Sequence, residues 1–204
     1  LAREIMELHT VGVHGGYTQA DVTEFARALT GWSASYKGDN VAPYIYRAQA
    51  HEPGARTIMG KTYADNGEGQ ARAVLRALAA HPQTARHLSR QIASHFVADE
   101  PPPALVARLE KAWTASDGRL DVVAAALIDA PESWTPQPAK FKAPYDFMVS
   151  SWRALGVMPA DAQTVEKQAR GLGQRPLSPP SPKGWSDTAT DWASPDQIMR
   201  RMDW

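Results

Sequence analysis

The residues of this chain able to move protons or hold a ligand fall into a few small groups. His51-Glu52 lies in an irregular stretch, just before Pro53-Gly54 and upstream of Lys61. An imidazole, a carboxylate and an ammonium on one loop are the parts of a general base with an electrostatic partner. These three are therefore the candidate catalytic residues of a hydrolase-like or metal-assisted enzyme. The same side chains would serve equally well to satisfy backbone groups in a long buried loop. At the amino end Arg3, Glu4 and Glu7 form a second polar group, and Glu24 and Arg27 repeat the theme. Such pairs are either solvated helix pairs or parts of a buried network between helices. In HTVGVHGGYTQAD, His9 and His14 flank a glycine-rich turn. There Gly12 is expected as a left-handed helix stop with a Leu8–Val13 contact, Thr18 as the next cap with Asp21 in capping-box position, and Tyr17 stapled against Val22. His14 alone has no structural task.

Other patterns carry less chemistry. His87, Gln91 and His95 share one side of a helical segment, but eight residues of helix rise about 12 Å, too far for two histidines to share one metal. No H-E-x-x-H motif, nucleotide-binding glycine loop or G-x-S-x-G motif is present, so neither a metal nor a cofactor is expected. DNGEG (65–69) and SDGRLD (116–121) lack the ligand spacing of a calcium loop and read as turns and caps. Seven tryptophans are many for 204 residues. Exposed indoles suit partner or sugar binding, and a large helical core also consumes them. Trp185, after Pro179-Pro180, reads as the anchor of a loop strapped across the helices.

The elements that must position these groups are mainly helical. Val22, Phe25, Ala26 and Leu29 recur with helical spacing, as do Val74, Leu75 and Leu78, and Leu88, Ile92 and Phe96. Pro82 and Pro195 are placed to begin helices, and Gly156 to end one. The pattern lapses over 33–61, where a short hairpin with strands near 44–48 and 56–59 is expected. It lapses again in the proline-rich 174–193. The expectation is one all-α domain over 1–204, irregular and multi-helical, with a loop excursion near 33–61 and a strap near 174–193.

Composition limits the function further. Lysine plus arginine equals aspartate plus glutamate, 22 each, which argues against a nucleic-acid binder. No apolar run approaches the roughly 20 residues that span a bilayer. Cysteine is absent, which removes thiol chemistry and cysteine-bound zinc. The chain starts at Leu1, and its expected setting is a longer precursor with any targeting segment upstream.

Four blocks in order, AREIMELHTVGVHGGYTQADVTEFARALTGW, HEPGARTIMG, LAAHPQTARHLSRQIASHFVADEPP and GLGQRPLSPPSPKGW, resemble the bacterial domain-of-unknown-function family 1800. The resemblance covers essentially the whole chain and implies the carboxy-terminal portion of a longer, largely helical protein. It also implies export to the periplasm or cell exterior, often through a twin-arginine signal, and a gene beside that of another exported, sulfatase-like protein. It supplies no catalytic residues. His14 and Glu52 stand where the family pattern often has aspartate, so neither position requires an aspartate ligand. The function expected is partner binding or structure in the cell envelope. An enzyme built on His51, Glu52 and Lys61 is the alternative, and Arg3, Glu4, Glu7, His14 and Trp185 are the candidate binding residues.

Overall fold

The computed structural model describes residues 1–35, 43–137 and 139–204. Its α-helices run, in chain order, α1 (Ala2–Glu7), α2 (Gln19–Ala28), α3 (Glu68–Ala79), α4 (Pro82–Phe96), α5 (Pro103–Ala115), α6 (Leu120–Ile128), α7 (Pro144–Leu155), α8 (Ala162–Gly171), α9 (Ala189–Trp192) and α10 (Pro195–Asp203). Between α2 and α3 lie the strands β1 (Trp32–Ala34), β2 (Tyr44–Tyr46), β3 (Arg56–Ile58) and β4 (Lys61–Tyr63). The chain is 54% helical, so the protein is mostly helical but not purely all-α as expected.

The excursion departs from the expected hairpin. Strands do form at 44–46 and 56–58, but not with each other. Trp32 pairs with Tyr46 and Ala34 with Tyr44, while Arg56 pairs with Tyr63 and Ile58 with Lys61. The tight β3–β4 turn selects this arrangement, because Met59 and Gly60 both adopt left-handed backbone (φ 49° and 75°), as a two-residue type I′ turn demands. Residues 36–42 of the excursion lie outside the described residues, and among the described residues no helix is long and apolar enough to cross a membrane.

Two compact units are distinguishable, Leu1–Ser89 with Leu109–Ala124, and Arg90–Arg108 with Ala125–Trp204. In the first, Met6, Phe25, Ile58 and Val74 are almost fully buried. They come from α1, α2, β3 and α3, so the core itself fixes the β3–β4 hairpin against α2. Gln70, 1% exposed, donates its amide to the Gly54 and Tyr63 carbonyls and closes the hairpin's other side. The second unit centres on Met148, Ala169 and Leu172, with Phe147, Trp152 and Val165 packed around them.

The α1–α2 joint forms as a capped turn. Thr18 and Asp21 make the expected capping box. The helix stop is longer than expected: Thr10 Oγ1 donates to the Ile5 carbonyl at 2.8 Å and the Gly12 amide to Met6 at 2.9 Å. Val13 is exposed and Val11 is the buried residue, so the Leu8–Val13 contact is replaced by burial of Val11. Gly12 (φ 81°) also lies under the His87 ring, where an added Cβ would sit 2.7 Å from Nδ1. His87 Nε2 stands 3.3 Å from the Leu8 carbonyl, a structural role for this histidine.

Candidate functional site

Helix α2 and the loops around β3 gather the polar residues of the first unit. His51 follows a 3₁₀ turn at Ala48–Ala50, and its side chain is only 6% exposed. Its Nδ1 is 3.0 Å from the Thr30 carbonyl, which can only accept, so Nδ1 carries a proton. Its Nε2 is buried, has no hydrogen-bond partner and stands 3.5 Å from Asp65 Oδ1. Asp65 is itself fixed by the Gly54 and Gly67 amides at 2.8 and 3.1 Å.

Glu52 turns the other way. Its amide donates to Thr30 Oγ1 at 2.7 Å, and its carboxylate lies 3.3 Å from both Arg27 Nε and an Arg56 nitrogen. Arg56, 8% exposed, also donates to the Glu52 and Pro53 carbonyls at 3.0 and 2.9 Å and faces Glu24 at 3.5 Å. Arg27 completes the ring with Glu24 at 2.6 Å. Glu24 and Arg27 are therefore part of a network between elements, not an isolated surface pair. Lys61 takes no part in it: exposed on β4, it places its ammonium 5.3 Å from the Tyr63 ring.

At the amino end Arg3 bonds Glu7 at 3.1 Å and also reaches Gln19, and Tyr17 donates to Glu7 at 2.6 Å. Those hydrogen bonds, Tyr17 first and Arg3 second, hold the Glu7 carboxyl below its ordinary range. Glu4 is half-buried, and His14 is exposed. Trp185 donates to the Arg175 carbonyl at 3.2 Å and lies 6.0 Å from the ring of buried Trp192, both residues of the same 174–193 segment.

A polar cluster that sequence reasoning missed holds the strap. Asp99 accepts from Lys140 Nζ at 2.6 Å and from the Ala189 amide at 2.7 Å, and His95 Nδ1 lies 2.8 Å from Asp187. Burial raises the Asp99 carboxyl, and the Lys140 and Ala189 bonds more than offset this, leaving it below its ordinary range. His95 is thus a partner of the strap and has no link to His87. These partners are separated by about 40 residues or more, and no local pattern announces them.

Carboxylates held by backbone amides set the acid limit of the fold. The Gly54 and Gly67 amides, followed by the charge of the neighbouring His51, keep Asp65 below its ordinary range, and the Thr164 amide does so for Asp161. Groups depressed on folding stabilise the protein above their unfolded pKa of about 3.9, and that contribution is lost as pH falls through the lower folded value. The urea midpoint is expected to change little between about pH 7 and 5 and to fall steeply below about pH 4. Asp65→Asn should flatten part of that fall in a series of urea titrations.

Helix α10 presents the second candidate surface, because it docks in an unusual sense. Arg201 is half-buried, with its guanidinium 4.5 and 5.1 Å from the Phe141 and Phe147 ring centres and a 2.8 Å bond to the Lys142 carbonyl. Burial pushes this guanidinium's pKa down. Trp204 packs against Phe147 and Trp152, and its indole donates to Gln168 at 2.8 Å. The outer side of the same helix shows Ile198, Met199 and Met202, the last 73% exposed. An ordinary surface helix buries its apolar stripe; α10 leaves Ile198, Met199 and Met202 exposed and tucks in Arg201, while Asp196, Arg200 and Asp203 stay exposed.

A mostly helical scaffold, a polar network around a hairpin and an exposed apolar side of α10 are the main features among the described residues. Among the described residues no group of three or more metal-ligating side chains converges. The model of the family described as "Protein of unknown function (DUF1800)" matches residues 1–204, and the chain belongs to that family. No curated protein and no solved structure matches it.

Proposed function

We propose that this chain is a partner-binding module of the bacterial cell envelope, working on the periplasmic or extracellular side. The observation that carries the reading is the outward apolar side of α10. Met199 and Met202 sit one turn apart, are 53% and 73% exposed, and are framed by Asp196 and Asp203. Methionine adapts its shape to irregular partner surfaces, and an amphipathic helix laid against a groove is a recurring mode of protein recognition. The partner favoured by the family resemblance is the exported protein encoded beside it. The polar network around Arg56 is, in this reading, a brace for the scaffold. Residues 1–204 are taken as one module, and Arg3, Glu4 and Glu7 as polar binding residues of its first unit.

The enzyme reading is weaker for a geometric reason. His51 and Glu52 are adjacent in sequence, but their side chains engage different neighbours, and the His51 ring makes its contacts with protein groups while 6% exposed. A general base must reach the proton it removes. The test is co-purification of the full-length exported protein from its own envelope extracts, as wild type and as Met199→Asp/Met202→Asp. The double variant is expected to lose the neighbouring-gene product while keeping its melting temperature within about 2 °C, since exposed substitutions leave stability nearly unchanged. Equal recovery of that protein by both forms contradicts the proposal.

A further inference from the structure

The first unit carries a cleft of about 690 Å³ whose lining is chemically mixed. Its walls are the carboxy-terminal turn of α3 (Arg76, Ala79 and Ala80), the start of α4, and the end of α5 with the turn beyond it (Trp113, Asp117 and Gly118). The volume lies within the range of small-molecule sites, about 300–1,000 Å³. Three of its polar groups lack a protein partner among the described residues. The Arg76 guanidinium and the Asp117 carboxylate, both exposed, make no ion pair or side-chain hydrogen bond, and the Trp113 indole N–H makes no hydrogen bond and opens to the cleft although the residue as a whole is buried. An indole is an apolar body with one polar edge, and here that edge is free to meet a ligand.

The turn after α5 keeps that indole edge open. Asp117 and Gly118 are both left-handed (φ 55° and 77°), and the Gly118 amide returns to the Trp113 carbonyl at 2.9 Å. A Cβ at position 118 would stand 3.3 Å from Trp113 Nε1. Glycine thus leaves bare the one donor that any other residue would crowd. Opposite, Ala79 and Ala80 belong to the last turn of α3, where carbonyls have no intrahelical donor.

The cleft therefore offers donors (Arg76 and Trp113), acceptors (Asp117 and the α3 carbonyls), one charge of each sign and small apolar walls. A free anion would meet Asp117 and the negative end of α3, and a free cation would meet Arg76. A neutral ligand whose every polar group both donates and accepts matches all of these at once. We propose that this cleft binds a neutral saccharide segment, with its hydroxyls shared between Arg76, Asp117 and the Trp113 N–H. This site is separate from the α10 surface and does not depend on it.

The test follows the Trp113 indole ¹H–¹⁵N resonance, assigned with Trp113→Phe, during titration of the protein with neutral di- to tetrasaccharides of glucose, mannose, xylose and N-acetylglucosamine. At least one series is expected to shift it saturably at millimolar or lower concentration. Arg76→Ala and Asp117→Asn, the latter chosen because asparagine tolerates the left-handed backbone at 117, should each weaken that binding about tenfold or more, the scale of a lost hydrogen bond to a charged group, at unchanged melting temperature. The proposal is overturned if no saccharide shifts the resonance, if acetate or phosphate shifts it instead, or if both variants bind as tightly as the wild type.

Discussion

Replacing Asp21 by alanine is expected to lower the unfolding free energy by about 3 kcal/mol, more than any other single change to a polar group near the protein surface. One carboxylate here performs two tasks. Its Oδ2 accepts from the Thr18 amide at 2.7 Å and closes the capping box of α2, while its Oδ1 accepts from the Met59 amide at 2.6 Å. Met59 is the non-glycine left-handed residue of the β3–β4 turn, a conformation that persists only when its surroundings hold it. Loss of the cap costs about 1 kcal/mol, and loss of a charge-assisted bond to a partly buried amide about 1.5–3 kcal/mol. For a chain of this size that sum lowers the melting temperature by roughly 6–12 °C. Asp21→Asn keeps one good acceptor and should give an intermediate value. Thermal and urea unfolding check the magnitude, and amide exchange over 56–63 checks the cause: the alanine variant should expose the hairpin amides and leave α10 unaffected. A loss below about 1 kcal/mol would mean that the hairpin is held by its apolar residues alone.

The second large effect is expected at Arg56. Arg56→Met keeps most of the side-chain volume and removes the cation at the centre of the Glu24–Arg27–Glu52 network. Two backbone carbonyls and two carboxylates then lose a donor. Breaking a buried ion pair from one side costs about 3–5 kcal/mol. Because the Glu24 and Glu52 side chains remain 25% and 49% exposed, water screens part of that, and about 2–3 kcal/mol is the expected loss. Arg56→Met combined with Glu24→Gln removes the uncompensated charge and should recover part of the loss. A double-mutant cycle by urea unfolding measures this coupling, and strict additivity would show that the network is decorative.

Much of this architecture was legible in the sequence, and the reasons are local. The Thr18–Asp21 box, the proline that begins α7, the left-handed Gly156 after it, and the Ser194-Pro195 start of α10 are written within four residues of where they act. The excursion was legible as non-helical, but its pairing was not. Strand partners at 32–34 and 61–63 lack the alternation that marks a half-buried strand, and the Met59-Gly60 turn carries only half of the usual type I′ signature.

The candidate site was legible only by residue. His51 and Glu52 stood out, yet the structure places Asp65, Thr30 and Arg56 beside them instead of Lys61. Lys61 shares the hairpin face of Ile58 and Tyr63, but it stands at the turn end, where its ammonium reaches only the Tyr63 ring. Asp65 read as a turn residue and does accept the Gly67 amide, but its second role beside His51 depends on a fold that brings distant loops together. The exposure of the apolar side of α10 is likewise invisible in its sequence, where Ile198, Met199 and Met202 look like a stripe meant for the core.

The central claim is that this stripe is a surface for another protein, and site-specific photocrosslinking in the native cells tests it most directly. With p-benzoylphenylalanine at position 202 of the full-length exported protein, illumination is expected to yield one discrete adduct containing the neighbouring-gene product. The same group at exposed Lys111, in the first unit, should yield none. Absence of any adduct at position 202, or the same adduct at both positions, would contradict the account.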